Sequence, residues 1–364
     1  MSKAQIPWFT PEFGLAEKKL VAQVIKSNYL NDGETSRLFE KRIAQYIGVK
    51  YCLAVTSGTA AITLALMGLG VGPGDEVIVP DLTFIATANA ARLAGASVKL
   101  ADIEDRRFTL ETSCLEKLIT RRTKAIIPVD VNGRGADYAF LEKIARKHKL
   151  FLVCDATEGL GSKWNGRYLG TLGDAGCFSF SPNKTISTGQ GGLIATNNSK
   201  LYYRLRELKD QGRRFQGTGG DDLHPVLGYN FKFTNLQAAV GLAQLGRLRQ
   251  RLAKAKERDR WYRDLLQGCP QIIFPEQKKD EIMQWTDVLI AERKKVIAAF
   301  KRAGIGFRLF WHPLHRQAPY AAKDRQYPNS IFVSQNGLWL PSGFGLTFNQ
   351  ARYVATTILK ALSR

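Results

Sequence analysis

Residues 173 to 192, GDAGCFSFSPNKTISTGQGG, place a single lysine between two short apolar runs. Cys177–Phe180 is typical of a strand, Pro182-Asn183 predicts a turn that presents Lys184, and a glycine-rich exit leads into Leu193–Thr196. Burial among Phe, Ser, Pro and small residues disfavours the ammonium form and lowers a lysine pKa, so the amine becomes a nucleophile. Such lysines form Schiff bases with carbonyl compounds, including pyridoxal phosphate (PLP). The alternative is an ordinary loop lysine.

The overall composition is that of a globular chain. Its 364 residues suffice for a large domain and a smaller one, and 45% of them are hydrophobic. No apolar run approaches the ~20 residues that span a bilayer. The five cysteines form no CxxC pair, so neither a zinc site nor a disulfide framework is predicted. The amino terminus shows no signal-peptide pattern, and the cytoplasm is the expected compartment.

The formal net charge of +21 is high for a metabolic enzyme. Much of the excess lies between Arg247 and Arg263, where it indicates a solvated helix face. Attraction of a polyanion, either a nucleic acid or a sugar nucleotide diphosphate, is the other interpretation. We find no helix-turn-helix, zinc-finger or RNP-like pattern, so a nucleic acid is not the expected partner.

A predicted anion site follows the apolar strand Tyr51–Val55. The small, polar turn Ser57-Gly58-Thr59-Ala60 leads into a helix expected from Ile62 to Leu69. Free backbone N–H groups and the helix dipole favour an anion at such a place, and Ser57 and Thr59 add hydroxyl donors. The hydroxyl of Ser179, five residues before Lys184, could face the same phosphate. An ordinary capped turn is the alternative.

Two carboxylates, Asp155 and Glu158, follow the predicted strand 150–154. Functional residues in open α/β sheets collect at the carboxyl ends of strands. A buried carboxylate beside the PLP ring nitrogen would hold the pyridinium protonated, and Glu158 could contact the edge with the phenolic oxygen. Capping of a following helix is the alternative for Asp155. Thr83 is expected to cap another helix, and Phe84 beside it is either a ring partner or core.

The chain is predicted to divide into a large domain, 1–245, and a small C-terminal domain, 246–364, joined by one long helix from Asn235 to Leu266. A charged, glycine-rich segment, 213–222, is expected to be a mobile loop. Candidate substrate contacts lie in the small domain at Arg308, Trp311, His312 and His315. Arginine suits a diphosphate and an aromatic ring suits a sugar or base. For each histidine a structural hydrogen bond is the alternative, and no metal site is predicted.

In their shared order these motifs resemble the DegT/StrS-type sugar aminotransferases, which are fold-type I PLP enzymes, over about residues 5 to 361. The resemblance therefore implies an α/β fold with a mixed, mostly parallel sheet between helices and a smaller α+β domain. It is carried by FEK with YIG (39–48), SGTAA (57–61), GDEVIVP (74–80), TFIATAN (83–89), DATE (155–158), FSF with Lys184, GQGG (189–192), GYN (228–230) with QAA (237–239), and PLH (313–315) with LP (340–341).

The resemblance also implies residue roles. Lys184 holds PLP covalently and then shuttles protons, Asp155 pairs with the ring nitrogen, Glu158 lies near the ring hydroxyl, and Phe84 stacks on the ring. The phosphate group is held by Ser57, Gly58, Thr59, Ala60 and Ser179. Asn230 reaches the phosphate in the partner subunit, so a homodimer with two shared sites is expected.

The expected reaction is transfer of an amino group from L-glutamate to a nucleotide-linked ketosugar. Residues 304–317 most resemble the perosamine-synthase-like branch, which implies a GDP-4-keto-6-deoxyhexose and amination at C4. Amination at C3, and a non-enzymatic protein that binds PLP or nucleic acid, are the alternatives. Relatives that dehydrate at C3 carry His in place of the lysine, and Lys184 argues against that reaction. Three departures from the family stand out: Gln190 where Glu is usual, Thr157 at the second small position after the strand-end Asp155, and a short stretch at 285–294.

Overall fold

The computed structural model describes residues 6–214 and 222–363. Most of the predicted mobile loop, residues 215–221, therefore lies outside the described residues. The strands are β1 (Tyr51–Val55), β2 (Glu76–Pro80), β3 (Ser97–Ala101), β4 (Thr123–Ile126), β5 (Phe151–Asp155), β6 (Lys163–Trp164), β7 (Arg167–Tyr168), β8 (Ala175–Ser179), β9 (Gly192–Thr196), β10 (Ile272–Ile273), β11 (Asp287–Ile290), β12 (Arg308–Leu309) and β13 (Gly337–Trp339).

The helices surround these strands. They are α1 (Leu15–Lys26), α2 (Glu34–Ile47), α3 (Gly58–Gly68), α4 (Ala86–Leu93), α5 (Leu115–Leu118), α6 (Tyr138–His148), α7 (Ser199–Lys209), α8 (Asn235–Gly246), α9 (Leu248–Leu265), α10 (Arg293–Ala303), α11 (Pro328–Asn336) and α12 (Phe348–Leu362). Short 3₁₀ turns occupy Val131–Gly133, Leu314–Arg316, Ala318–Tyr320 and Asp324–Gln326.

The larger sheet has the strand order β1-β9-β8-β5-β4-β2-β3. Strands β8, β5, β4, β2 and β3 run parallel, whereas β9 is antiparallel to both of its neighbours, β8 and β1. Both faces are buried: within β1, Cys52 and Ala54 pack in one hydrophobic cluster while Leu53 and Val55 pack in another. A sheet covered by helices on both faces needs such continuous apolar strands, and the predicted α/β architecture is confirmed.

The C-terminal unit has its own sheet, in the order β10-β11-β13-β12. Helices α9, α10 and α12 cover it and share one hydrophobic core. The N-terminal residue Ile6 pairs with Ile305 and packs in this core, although the prediction assigns 1–245 to the large domain. The boundary at 245/246 stays a prediction.

The predicted single helix 235–266 is wrong, because the chain forms two helices that meet at Arg247. Gly246 is the last residue of α8, and a helix ends readily there because glycine destabilises a helix interior. The side chain of Arg247 is held by Glu17 of α1, with Nη2 2.7 Å from Oε1. Helix α3 also begins earlier than predicted, at Gly58 rather than at Ile62.

The short stretch at 285–294 connects strand β11 directly to helix α10. Only Ala291 and Glu292 separate β11 from α10. None of the helices in 6–214 and 222–363 combines the length and apolar character required to cross a bilayer.

Candidate active site

A cavity of about 320 Å³ opens where β5 and β8 end and the C-terminal unit packs against the larger sheet. It brings together residues that the sequence places far apart. Of the predicted site residues it is lined by Ser57, Gly58, Thr59, Phe84, Asp155, Glu158, Ser179, Lys184, Arg308 and Trp311. Ala60, Asn230, His312 and His315 are not part of its lining.

Lys184 projects from the predicted turn, where its backbone N–H donates to the carbonyl of Ser181 at 3.1 Å. Its Nζ donates to Oε1 of Glu158 at 3.2 Å, and the same nitrogen lies 5.1 Å from the ring centroid of Trp285. The Lys184 side chain is 12% exposed, and a carboxylate and an aromatic face both contact its nitrogen.

Glu158 is fixed from its other side. Its Oε2 accepts a hydrogen bond of 2.9 Å from the backbone N–H of Asn132, and only 6% of the residue is exposed. A buried carboxylate needs such donors to offset its lost hydration. Glu158 is thus held in one orientation with Oε1 directed at Lys184.

Asp155 ends β5 and is 3% exposed. Its Oδ2 accepts from the hydroxyl of Thr87 at 2.7 Å, and its Oδ1 accepts from the backbone N–H of Thr157 at 3.2 Å. The alternative role of a helix cap is not supported, since the described element after β5 is the short strand β6. The carboxylate faces the cavity and is available to a ligand.

The turn before α3 has the features of an anion site. Ser57 is the N-cap of α3, and its Oγ accepts from the backbone N–H of Ala60 at 3.1 Å. The backbone N–H of Ala60 thus already has a partner in Ser57, and the predicted phosphate contact from Ala60 stays a prediction. The N–H groups of Gly58 and Thr59 are in the first turn, where a helix leaves donors without backbone partners.

The space beside Gly58 is shaped by its missing side chain. A Cβ there would lie 3.0 Å from Cβ of Ser179 and 3.1 Å from Cγ2 of Thr157. Ser179 shares a hydrogen bond of 3.0 Å with the hydroxyl of Ser181. Small residues and hydroxyls thus surround the helix N-terminus, which suits a phosphate group.

Phe84 lines the same cavity with 52% of its surface exposed. An aromatic residue that the protein core leaves this open has a free face for a flat ligand. Thr83 beside it does not cap a helix as predicted, because α4 begins at Ala86 and the Thr83 hydroxyl instead meets that of Thr87 at 3.2 Å.

These groups fit PLP. The lysine that would bind it, a strand-end carboxylate for its ring nitrogen, an aromatic face and an anion-binding helix N-terminus all border one cavity. The cavity thus offers donors for a phosphate at one end and a carboxylate for a pyridine nitrogen at the other.

The C-terminal unit contributes Arg308 and Trp311. The Arg308 guanidinium lies 5.4 Å from the ring centroid of Trp8 and 5.2 Å from that of Trp339. No carboxylate pairs with it among the described residues, so its charge is available to an anionic ligand in the cavity. Trp311 is buried apart from the surface that it presents to the cavity.

The two histidines predicted to contact substrate lie elsewhere. His315 is 1% exposed, its Nδ1 lies 2.7 Å from Oδ2 of Asp81, and its Nε2 lies 3.1 Å from Oδ1 of Asp324. This is the structural hydrogen bond weighed as the alternative, and it ties the small domain to the loop after β2. His312 is exposed and outside the cavity lining, so neither predicted substrate contact is supported.

Asn230 is exposed and also lies outside the lining of the cavity in its own chain. Its backbone pairs with Asp210 in an isolated bridge. The nearby Leu227 is 81% exposed. The predicted role of Asn230 in a partner subunit stays a prediction.

Sequence reasoning missed other residues of the cavity. Thr87 and Thr157 line the cavity and lie inside the TFIATAN and DATE motifs. Their hydroxyl groups and small size are the sequence features that could have identified them. Trp285, which also lines the cavity, carried no local signal, and neither did Asn132, which lies outside the lining and binds Glu158 and Trp285. Gln190, noted as a departure, lines the cavity, and its Oε1 accepts from Ser181 Oγ at 3.5 Å. Within the described part of the chain, no group of three or more His, Cys, Asp or Glu side chains is arranged to hold a metal ion.

A lysine and a strand-end aspartate that line one cavity beside a seven-stranded sheet match the arrangement expected of fold-type I PLP enzymes. Sequence comparison narrows the class, since the model of the DegT/DnrJ/EryC1/StrS aminotransferase family matches residues 12–359. The chain belongs to this family. It is a PLP-dependent aminotransferase, and the alternative of a non-enzymatic binding protein is not supported.

Individual relatives agree with this assignment. A GDP-perosamine synthase of Caulobacter vibrioides is 39% identical over 324 residues, which cover 85% of each chain. A UDP-N-acetyl-3-dehydro-alpha-D-glucosamine 3-aminotransferase of Acidithiobacillus ferrooxidans is 33% identical over 91% of this chain and 89% of its own. Spr1654 of Streptococcus pneumoniae, solved in its PMP form, superposes with a TM-score of 0.93 at 25% identity and covers 99% of both chains.

Proposed function

We propose that the enzyme transfers the amino group of L-glutamate to C4 of a GDP-4-keto-6-deoxyhexose. The hydrogen bond between Lys184 and Glu158, in a cavity that also holds Asp155, carries the reaction class. The substrate is supported by the 39% identity to a GDP-perosamine synthase and by the resemblance of residues 304–317 to that branch. The GDP part of the substrate is supported by this relative.

Lys184 moves the proton in both half-reactions. As a free amine it removes a proton from the carbon that bears the transferred nitrogen. It then returns this proton to the carbon on the other side of that nitrogen. PLP, when bound, supplies the electron sink that makes this carbon acidic. Glu158 holds the nitrogen of Lys184 beside the reacting atoms, and Asp155 keeps a proton on the ring nitrogen.

Arg308 and Trp311 are proposed to bind the nucleotide sugar. An unpaired guanidinium at a cavity wall matches the diphosphate, because it presents several N–H donors in a fixed plane. The indole ring of Trp311 offers a flat apolar surface to the sugar. Both residues belong to the C-terminal unit, which therefore sets substrate choice while the larger sheet holds the cofactor.

The regiochemistry is tested by product analysis. The PLP-bound enzyme is incubated with L-glutamate and either GDP-4-keto-6-deoxymannose or a UDP-linked 3-keto sugar, and the products are assigned by NMR. We expect nitrogen at C4 of the GDP sugar. Turnover of the UDP sugar alone, with nitrogen at C3, would overturn the proposal and favour the C3 alternative that the 33% identical relative represents.

We further propose a homodimer in which Asn230 completes the phosphate site of the partner subunit. Its exposure, its distance from the cavity lining of its own chain and the 81% exposure of Leu227 support a covering subunit. Lys184→Ala and Asn230→Ala proteins are mixed after mild dissociation. Activity above that of either protein alone is expected, because one site in the mixed dimer has both residues intact. No gain from verified mixed dimers would contradict shared sites.

A further inference from the structure

Asn132 links the C-terminal unit to the active site. It is fully buried, with a left-handed backbone conformation at φ 55° and ψ 26°. Its side-chain amide donates to the carbonyl of Trp285 and accepts from the backbone N–H of Trp285 at 2.8 Å. Its own carbonyl accepts from the N–H of Gln284 at 3.2 Å. The Asn132 side chain thus makes the pair of hydrogen bonds with the backbone of Trp285 that a neighbouring strand would otherwise make.

This attachment decides where the indole ring of Trp285 lies. The ring nitrogen donates to the carbonyl of Asn183 at 3.1 Å, and the ring centroid is 5.1 Å from Nζ of Lys184. Trp285 is 1% exposed, so its contacts are desolvated. A cation over a desolvated indole face is stabilised more than one at an exposed surface.

The second contact of Lys184 also leads to Asn132. The backbone N–H of Asn132 donates to Oε2 of Glu158 at 2.9 Å, while Oε1 of Glu158 accepts from Lys184. The charged groups that line the cavity are Asp155, Glu158, Lys184 and Arg308. Among them, the carboxylate in contact with the lysine nitrogen is the one that Asn132 holds.

We propose that Asn132 is a positioning residue that holds the face of Trp285 against the Lys184 nitrogen and so stabilises positive charge there. The inference rests on the proposed function in that Lys184 is the residue that binds PLP. It adds that the seating of the C-terminal unit sets the electrostatic environment of this lysine. A displacement of Trp285 would be transmitted to Lys184 without any change in the larger sheet.

Asn132→Gly separates the two functions of the residue. Glycine adopts φ +55° without strain and keeps the N–H that binds Glu158, but it removes the amide that holds Trp285. We expect the pH midpoint of the visible absorption change of the bound cofactor to move down by about half a pH unit, as loss of a cation–π contact implies.

Ser162→Ala is the matched control. Its Oγ donates to the carbonyl of Ile282 at 3.2 Å and accepts from the N–H of Ile282 at 2.9 Å, so it holds the same segment by the same two-point contact. Ser162 does not contact Lys184, Glu158 or Trp285. Hydrogen exchange measured without cofactor should show faster exchange of residues 282–287 in both variants, whereas the absorption midpoint should move only in Asn132→Gly.

A second variant tests whether Asn132 acts through Trp285. Trp285→Leu removes the aromatic face directly, and we expect a shift of the same sign. Adding Asn132→Gly to it should then produce no further shift, because both changes remove one contact.

An unmoved midpoint in Asn132→Gly, an equal shift in Ser162→Ala, or additive shifts in the double variant would each overturn the inference while leaving the proposed function intact. Absence of a visible band in the unaltered protein supplied with PLP would overturn both. A shift confined to Asn132→Gly and Trp285→Leu that does not add in the double variant supports it.

Discussion

The hydroxyl of Thr87 donates a hydrogen bond of 2.7 Å to the carboxylate of Asp155, across 68 residues of sequence. Thr87 lies in the first turn of α4, and Asp155 ends β5. Together with the backbone N–H of Thr157, this hydroxyl fixes the plane of the carboxylate that we propose to meet the ring nitrogen of PLP. Orientation of Asp155 is therefore shared between helix α4 and the segment that follows β5.

Loss of this hydroxyl should impair catalysis. Thr87→Val removes the donor at nearly constant volume, and a hydrogen bond to a charged group contributes about 1.5–3 kcal/mol. We expect kcat to fall on the order of tenfold to a hundredfold. Thr87→Ser keeps the donor and is the control. Equal kinetics in Thr87→Val and the unaltered enzyme would show that the hydroxyl has no such role.

The gap beside Gly58 should govern cofactor affinity. In Gly58→Ala the new methyl group would lie 3.0 Å from Cβ of Ser179, so the phosphate cradle must widen. We expect the Kd for PLP to rise about tenfold, as measured by fluorescence titration of the protein freed of cofactor. Gly246→Ala is the control, since a Cβ there meets nothing within 4 Å. The prediction is wrong if both variants bind PLP equally well.

Substitutions of His315 and Arg308 in the C-terminal unit should have different effects. The first should lower stability, and the second should weaken substrate binding. His315→Ala leaves the fully buried Asp81 carboxylate without its main partner, and we expect unfolding to become easier by about 3 kcal/mol. The KM for the nucleotide sugar should hardly change. Arg308→Ala should instead raise this KM about tenfold, with little change in Tm. The reverse pattern would restore His315 as a substrate contact.

Asp130 is expected to make stability depend on pH. Burial raises the pKa of the Asp130 carboxyl well above its ordinary value, hydrogen bonds from Tyr138 and the N–H of Ala136 oppose this, and the charge of Asp155 adds to it. Above the unfolded-state pKa of about 3.9, the folded protein therefore binds more protons than the unfolded chain. Stability contributed at this site falls as the pH rises towards the folded-state pKa.

Asp130→Asn should remove this dependence. The amide oxygen can keep the bond from Tyr138, and the amide nitrogen takes the place of the oxygen that has no partner among the described residues. Urea unfolding at pH 5 and pH 8 is expected to show a stability gain that grows with pH, on the order of 1 kcal/mol per unit. A gain that is constant or shrinks would contradict the assignment, with the exposed Asp105→Asn as control.

The parts of the fold that local patterns determine were predictable. Apolar strands of five residues, the helix 34–47 and its end at Gly48, with φ +74°, follow from hydrophobic patterning and from the left-handed conformation that glycine accepts. The lysine turn and the carboxylates at the end of β5 follow from the same local logic. The break at Arg247 was missed: Gly246 is a local signal for it, but the ion pair that holds Arg247 involves the distant Glu17.

The supporting contacts of the site were beyond sequence reasoning for the same reason. Asn132 and Trp285 are 153 residues apart, and His315 and Asp81 are 234 residues apart. Nothing in the segment around His315 distinguishes a ligand contact from a buried hydrogen bond.

The most direct test of Lys184 as the cofactor lysine is the visible absorption spectrum of the purified protein with PLP, recorded before and after addition of L-glutamate. We expect a visible band that glutamate abolishes and 2-oxoglutarate restores, and no such band in Lys184→Ala. An unaltered protein without the band, or a Lys184→Ala protein that keeps both the band and its response to glutamate, would contradict the central claim.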